Sequence, residues 1–286
     1  MSTLLSVLLA GCASESGSLD DADDVRVWAT TASALAVYSQ FHGPFSFADG
    51  QSTFADPACP ATTDDGTTLE ISGGCVDNDA REWIGSATVV RAANGERTIT
   101  FDGYGSFDDP DLRAEQSGTV EVRLVAAAQR EFDVALVREG GLTTTFYYAG
   151  HVEGDYDTAT VWSGEGTVER DGLVAPTGTV HASTVDERVD DAVCSGQPVS
   201  GETTLSIGGR TAVITYDGET DCDGDQAARY SVDGEDRGMI TGINCSIAPR
   251  GASPGGIALY VVAIGIALFI RARSIRSALR ACRPTP

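Results

Sequence analysis

The chain contains no lysine, and all 19 of its basic residues are arginine. Mechanisms that need a lysine amine are therefore excluded, among them Schiff-base catalysis, pyridoxal phosphate attachment and Walker A phosphate binding. Histidine is also scarce: only His42, His151 and His181 occur, and no two of them stand at the spacing of metal ligands. No Cys-x-x-Cys, Gly-x-Ser-x-Gly or His-Glu-x-x-His sequence is present. The sequence therefore predicts no catalytic residues.

Positive charge is scarce as well outside the last residues of the chain. All 42 acidic residues precede residue 251, where they meet 14 arginines, so this part carries a net charge of −28. Such a surface repels the phosphates of nucleic acids, and we predict no nucleic-acid partner. It suits divalent cations, basic partners or a protein partner in the cell envelope, and it also serves plain solubility.

The N-terminus carries an export signal. Residues 1–11 are uncharged and rich in leucine, with the length of a signal peptide. They end in Leu9-Ala10-Gly11-Cys12, which resembles the lipobox of bacterial lipoproteins. The resemblance implies that the Cys12 thiol is lipidated and that the chain is cut just before it. The alternative is an ordinary signal in which these four residues occur by chance. Residues 12–21 are then an acidic tether.

A second membrane signal lies near the C-terminus. Residues 255–270 are uncharged, and five arginines follow within 271–286. A buried core helix is the alternative, but it would normally carry a polar face, so we predict a membrane span with the basic tail in the cytoplasm and the preceding body outside. With Cys245 and the spacer 248–254, the span resembles the C-terminal sorting tails of Gram-negative envelope proteins, including the myxobacterial type.

The sorting-tail resemblance affects where the body is expected. It implies that the tail is removed during transfer to the cell surface. The expected location is the periplasmic side of the inner membrane, or the outer surface once the tail is processed. The membrane is thus a predicted partner, through the lipid at one end and the span at the other.

Five cysteines fall in the predicted outward part. Disulfides are the default in an oxidising compartment, and local pairing would join Cys59 to Cys75 and Cys194 to Cys222. Pairing of Cys222 with Cys245 is the rival arrangement. In the chain-entropy model each closed loop contributes on the order of 3 kcal/mol.

The body, residues 22–247, has the pattern of a mainly β protein. Acidic residues from Asp21 precede a helical apolar spacing that we expect to stop at His42-Gly43-Pro44. From Thr67 onward polar and apolar residues alternate, with glycines about every ten residues, which predicts ten to twelve antiparallel strands. We expect an extended meander that forms a sandwich or open barrel with one N-terminal helix, its tryptophans in the core and Tyr147 and Tyr148 on opposite faces.

One acidic run resembles the start of a calcium loop. Asp221, Asp223 and Asp225 alternate as such ligands do, but the positions that should hold glycine and a closing acid are Gln226 and Val232. An acidic turn beside a disulfide is the alternative, so calcium is a weak prediction and no other cofactor is expected.

Taken together, these features predict a non-catalytic cell-envelope or surface lipoprotein, structural or binding. The alternative is a cation-dependent carbohydrate-active enzyme of the cell surface. A deep pocket with two converging carboxylates would favour the enzyme, since glycoside hydrolysis needs such a pair.

Overall fold

The fold was analysed in a computed structural model of the chain. The structure describes residues 19, 21–110, 113–126, 128–154, 159–174, 176–190, 198–217, 227–241 and 243. The predicted segments 1–11, 248–254, 255–270 and 271–286 lie outside the described residues, as does most of the predicted tether. Leu19, near the end of that tether, is fully buried in the core, so the packed body begins before residue 22.

Fourteen described strands form one sheet, which confirms the predicted antiparallel meander with a few more strands than expected. They are β1 (Ala61–Asp64), β2 (Thr68–Ser72), β3 (Cys75–Val76), β4 (Glu82–Arg91), β5 (Glu96–Phe107), β6 (Glu115–Ala126), β7 (Gln129–Glu139), β8 (Leu142–Gly154), β9 (Ala159–Gly172), β10 (Gly178–Asp190), β11 (Pro198–Ile207), β12 (Arg210–Asp217), β13 (Ala227–Val232) and β14 (Glu235–Thr241). Strand order follows the chain, except that β3 pairs beside β2 on β4. Strands β1 and β14 are the two edges.

Alternation along each strand gives the sheet two different faces. In β6, Val120 and Val122 are buried, whereas Glu121 and Arg123 are exposed. Because neighbouring strands pair in register, buried residues align across the sheet into one apolar inner face. There is one continuous sheet among the described strands rather than two stacked sheets, so the core must be closed by something other than a second sheet.

Three short helices close that core. They are α1 (Ala22–Ala32), α2 (Ala34–Ser39) and α3 (His42–Ala48), where the sequence had indicated a single helix. The first break is at Ser33, whose extended backbone ends α1 while its side chain accepts a hydrogen bond from the Ala36 N–H and caps α2. The expected stop at His42 is instead the start of α3. Pro44 is tolerated there because the first turn of a helix has no partner for the missing N–H.

The helices follow one another along the inner face. Helix α1 contacts β9, β11 and β14, α2 contacts β8 to β10, and α3 contacts β4 and β5. Every residue from Ala34 to Tyr38 in α2 is buried, so this helix is enclosed by the curled sheet and its neighbouring helices. Among the described helices, none has the length and apolar character needed to cross a membrane.

Aromatic rings connect the helices to the sheet at the centre of the core. The ring of Tyr38 lies 4.6 Å from that of Trp162 and 5.9 Å from that of Phe132, between centroids. The Trp162 indole N–H donates a 2.8 Å hydrogen bond to the Thr160 hydroxyl. Trp28, Trp83 and Trp162 are all buried, as predicted. Ring-to-ring packing of this kind fixes the helices against the strands.

The meander has two rims. The connections that follow β5, β7, β9, β11 and β13 lie at one end of the strands, which we call the upper rim. Those that follow β4, β6, β8, β10 and β12 lie at the opposite end, the lower rim. Strand β14 begins at the upper rim and ends at the lower one.

Candidate functional site

A groove of about 600 Å³ crosses the central strands of the sheet on their outer face. Its lining comes from six consecutive strands, β5 to β10, and comprises Glu96, Arg97, Thr98, Glu121, Val122, Arg123, Glu131, Phe132, Asp133, Ala149, Gly150, His151, Gly164, Glu165, Ser183 and Thr184. Most of these side chains are the outward members of the alternating pattern. The groove is thus a product of strand register rather than of loops.

Three acids stand in one row across the groove. Glu121 lies directly opposite Asp133, Asp133 opposite Ala149, and Ala149 opposite Glu165. We call Glu121, Asp133 and Glu165 the acidic triplet. Side chains directly opposite each other on one face have Cβ atoms about 4.5–5.5 Å apart, and like charges at that distance repel. The row therefore holds unfavourable negative charge that a cationic partner would relieve.

The arginines of the groove are engaged elsewhere. Arg123 contacts Glu96 at 3.4 Å and Glu131 at 3.2 Å, and Arg97 is bound to Asp49 at 2.9 Å on its inner side. Within the described part of the chain, no ion pair reaches any member of the acidic triplet. The carboxylates of the triplet thus face solvent with no ion-pair partner among the described residues, while Arg123 of the same groove pairs with Glu96 and Glu131.

Two glycines form part of the floor of the groove. A Cβ on Gly150 would lie 2.5 Å from the Phe132 ring, and one on Gly164 would lie 2.6 Å from the Tyr148 ring. Glycine at these positions lets the backbone lie directly on the buried rings. The Tyr148 hydroxyl donates a 2.9 Å hydrogen bond to the Gly164 carbonyl and holds the floor in place. Burial raises the pKa of this hydroxyl above its ordinary value, so it remains protonated.

The histidines do not form a recognisable catalytic group. His151 is exposed in the groove, opposite Glu131 on one side and Ser163 on the other. His181 is exposed two strands away, opposite Thr167. Across the described ranges, no three His, Cys, Asp or Glu side chains come together in a way that could hold a metal ion.

The predicted Cys59–Cys75 disulfide is present, with the two Cα atoms 5.9 Å apart. It joins the segment before β1 to β3, at the first edge of the sheet. All four residues of β1, Ala61–Asp64, are exposed. The covalent link therefore supports the part of the sheet that has the least packing.

Asp77 stabilises the β3–β4 connection. Its carboxylate accepts hydrogen bonds of 2.9 Å from the Trp83 indole N–H and from the backbone N–H groups of Asp79 and Arg81. Partial burial acts to raise the pKa of this carboxyl, but the three hydrogen bonds outweigh it and leave the pKa below its ordinary value. The acids of this turn are structural rather than ligands.

Buried charge in the core was not foreseen from the sequence. The Arg170 guanidinium lies 5.5 Å from the Trp28 ring, near Asp24 of α1. Burial lowers the pKa of Arg170 to about 10, against the opposing attraction of Asp24. Glu187 is also fully buried, at an irregularity where the pairing of β10 with β9 shifts. A polar pattern alone gives no sign that these particular charges turn inward.

The remaining predicted site residues lie outside the described residues. They are Cys12, Cys194, Cys222, Asp221, Asp223 and Asp225. The acidic triplet, in contrast, was missed from the sequence. The alternation would have placed each acid on the outer face, but only the strand register brings the three into one row.

Comparisons with known proteins were made at three levels. Neither protein-family models, nor curated proteins, nor solved structures give a match to this chain.

Proposed function

We propose that this chain is a non-catalytic lipoprotein of the cell envelope or cell surface whose outer sheet face binds a cationic partner. The observation that carries the proposal is the acidic triplet, a row of exposed carboxylates in a 600 Å³ groove that no described ion pair compensates. The predicted signal peptide and lipobox support a location in the cell envelope. The net charge of −28 before residue 251 attracts cations over long distances.

The chemistry of the groove favours a partner with spread positive charge. A divalent cation needs several oxygen ligands converging on one point, and no such group of side chains is found among the described residues. Guanidinium or amine groups on a peptide can instead meet the three carboxylates one by one along the row. The partner we propose is therefore a basic segment of another envelope protein.

The test is binding of an arginine-rich peptide, measured by calorimetry at low and physiological salt. We expect the triple variant Glu121→Gln, Asp133→Asn, Glu165→Gln to weaken binding by roughly tenfold or more, since each lost charge pair contributes up to about 1 kcal/mol. A matched control removes three exposed acids outside the groove: Glu70→Gln, Glu169→Gln, Glu202→Gln. Equal weakening by both variants would mean that only net charge matters and would contradict the groove as the site.

The enzyme alternative can be tested with the same protein. Glu121 and Asp133 are the directly opposed carboxylates that the groove offers for glycoside hydrolysis. Release of reducing sugar from envelope polysaccharide by the natural chain, lost in both Glu121→Gln and Asp133→Asn, would replace the binding proposal with the enzymatic one.

A further inference from the structure

The N-terminus of the packed body lies toward the upper rim. The Arg170 guanidinium packs over Trp28 and near Asp24, both in the first two turns of α1. Arg170 pairs with Gly178, the first residue of β10 at the upper rim. At the far end of α1, the Ala34 N–H donates to the Thr184 hydroxyl, six residues further down β10. Helix α1 therefore starts near the upper rim and runs toward the lower one.

The distance to the predicted lipid decides which rim it can reach. Leu19 is buried just before α1, and Cys12 is seven residues earlier, so the connecting chain spans at most about 25 Å. Strand β9 begins at Ala159 at the lower rim and reaches Arg170 eleven residues later, so these two residues are about 36 Å apart. A lipid on Cys12 can thus hold the upper rim against a membrane, whereas the lower rim is out of its reach.

The upper rim also carries the most exposed apolar side chain of the described body. Leu173 is 98% exposed at the β9–β10 hairpin, directly after Gly172, and is followed by the partly buried Val174. At the same rim Val76 of β3 is 62% exposed. Transfer of such an exposed leucine side chain out of water is favourable in free energy. A tether at the upper rim would place this side chain next to the apolar boundary of a bilayer.

We propose that the upper rim faces the lipid bilayer and that Leu173 sits in its interface, with the binding groove held along the side of the body. This inference rests on the proposed lipid anchor at Cys12. The rim also carries acids, among them Asp171, Asp233 and Glu235, so the surface it fits is a zwitterionic one rather than an anionic one.

The native tryptophans provide a clean background for the test. Trp28, Trp83 and Trp162 are all buried, so a tryptophan introduced on the surface is the one that lipid can reach. The variant Leu173→Trp reports on the upper rim. The matched control is Val125→Trp, since Val125 is 52% exposed near the lower-rim end of β6.

Full-length lipidated protein is bound to vesicles of brominated phosphatidylcholine, and flotation and tryptophan emission are measured. We take the emission of the introduced tryptophan as the difference between the variant and the natural chain. For Leu173→Trp we expect this emission to shift to shorter wavelength and to fall by about half, as for a ring buried about 5–10 Å into the interface. Val125→Trp emission should be unchanged. Far-ultraviolet circular dichroism of both variants checks that the sheet is intact.

The outcomes separate the two proposals. Flotation that is lost in Cys12→Ser, without quenching of Leu173→Trp, would overturn the orientation and leave the lipid anchor standing. Quenching of Val125→Trp instead would invert the orientation. Absence of Cys12-dependent flotation would overturn the anchor and, with it, the orientation.

Discussion

The two faces of the sheet follow one alternating pattern but are held by different forces. Val134 on the inner face is buried among apolar neighbours, while its chain neighbour Asp133 on the outer face stands opposite Glu121. Burial makes the inner face sensitive to volume, whereas the solvated outer face tolerates even repulsive charge. Stability is therefore expected to reside on the inner face, which leaves the outer face free to carry binding chemistry.

The largest expected effect comes from the aromatic centre of the core. Replacing Trp162 with alanine removes its packing on Tyr38 and should lower the free energy of unfolding by about 3–5 kcal/mol. Tyr147→Ala is the matched change on the outer face, where the ring is 60% exposed, and should cost about 0.5 kcal/mol or less. Urea unfolding of both variants measures the contrast. Similar losses would show that the outer face is not a solvated surface.

The Cys59–Cys75 disulfide lies at the first edge of the sheet, beside the exposed strand β1. Replacing Cys59 and Cys75 together with serine should lower the free energy of unfolding by about 3 kcal/mol, because the unfolded chain loses a closed loop. Thermal unfolding with and without reductant gives the measurement. Reductant should lower the melting temperature of the natural chain more than that of the serine variant, which has no Cys59–Cys75 bond to reduce. A larger decrease in the serine variant would contradict the assignment.

Strand β7 carries both faces in neighbouring residues, Asp133 and Val134. Val134→Ala should cost about 1.5–3 kcal/mol, since the side chain is fully buried. Asp133→Ala should change stability by no more than about 0.5 kcal/mol, and in the stabilising direction, because it removes the repulsion with Glu121. Chemical denaturation of the two variants decides the point, and a larger loss for Asp133 than for Val134 would reverse the assignment of the faces.

The smallest effect concerns acid pH. Because the pKa of Asp77 is lowered in the folded state, its contribution is present above the ordinary aspartate value of about 3.9 and is lost as pH falls through the folded pKa. The Asp77→Asn variant lacks this pH-dependent contribution to stability, because asparagine carries no carboxylate. The stability difference between natural chain and variant should therefore shrink between about pH 5 and pH 2. Melting temperatures across that range test this, with Asp79→Asn as the control, and a constant difference would contradict it.

Much of the β body could be read from the sequence. The alternation in β6, the glycine spacing and the short connections left no room for anything but an antiparallel meander, and Tyr147 and Tyr148 do lie on opposite faces. The helical segment was less predictable. Its apolar spacing continues through Ser33. Two contacts favour a break there: the Ser33 side chain caps α2, and the Ala34 N–H donates a hydrogen bond to the Thr184 hydroxyl.

The candidate site marks the limit of sequence reasoning. Each acid of the triplet was assignable to the outer face by its neighbours, but Glu121, Asp133 and Glu165 come from three different strands. Their alignment depends on register, which is set by how the inner side chains pack. The floor of the groove depends in turn on the rings beneath Gly150 and Gly164, and these contacts join neighbouring strands.

Three features follow from the sequence alone: the alternation of polar and apolar residues in the strands, the acidic and lysine-free composition, and a pair of cysteines close enough to bridge. These follow from neighbouring residues and need no long-range contact. Tertiary structure alone decided that three helices fill the curled sheet, that Arg170 and Glu187 turn inward, and that the acidic triplet forms one row. The physical reason is that burial, register and charge proximity are properties of pairs of residues far apart in the chain, which meet only when the core packs.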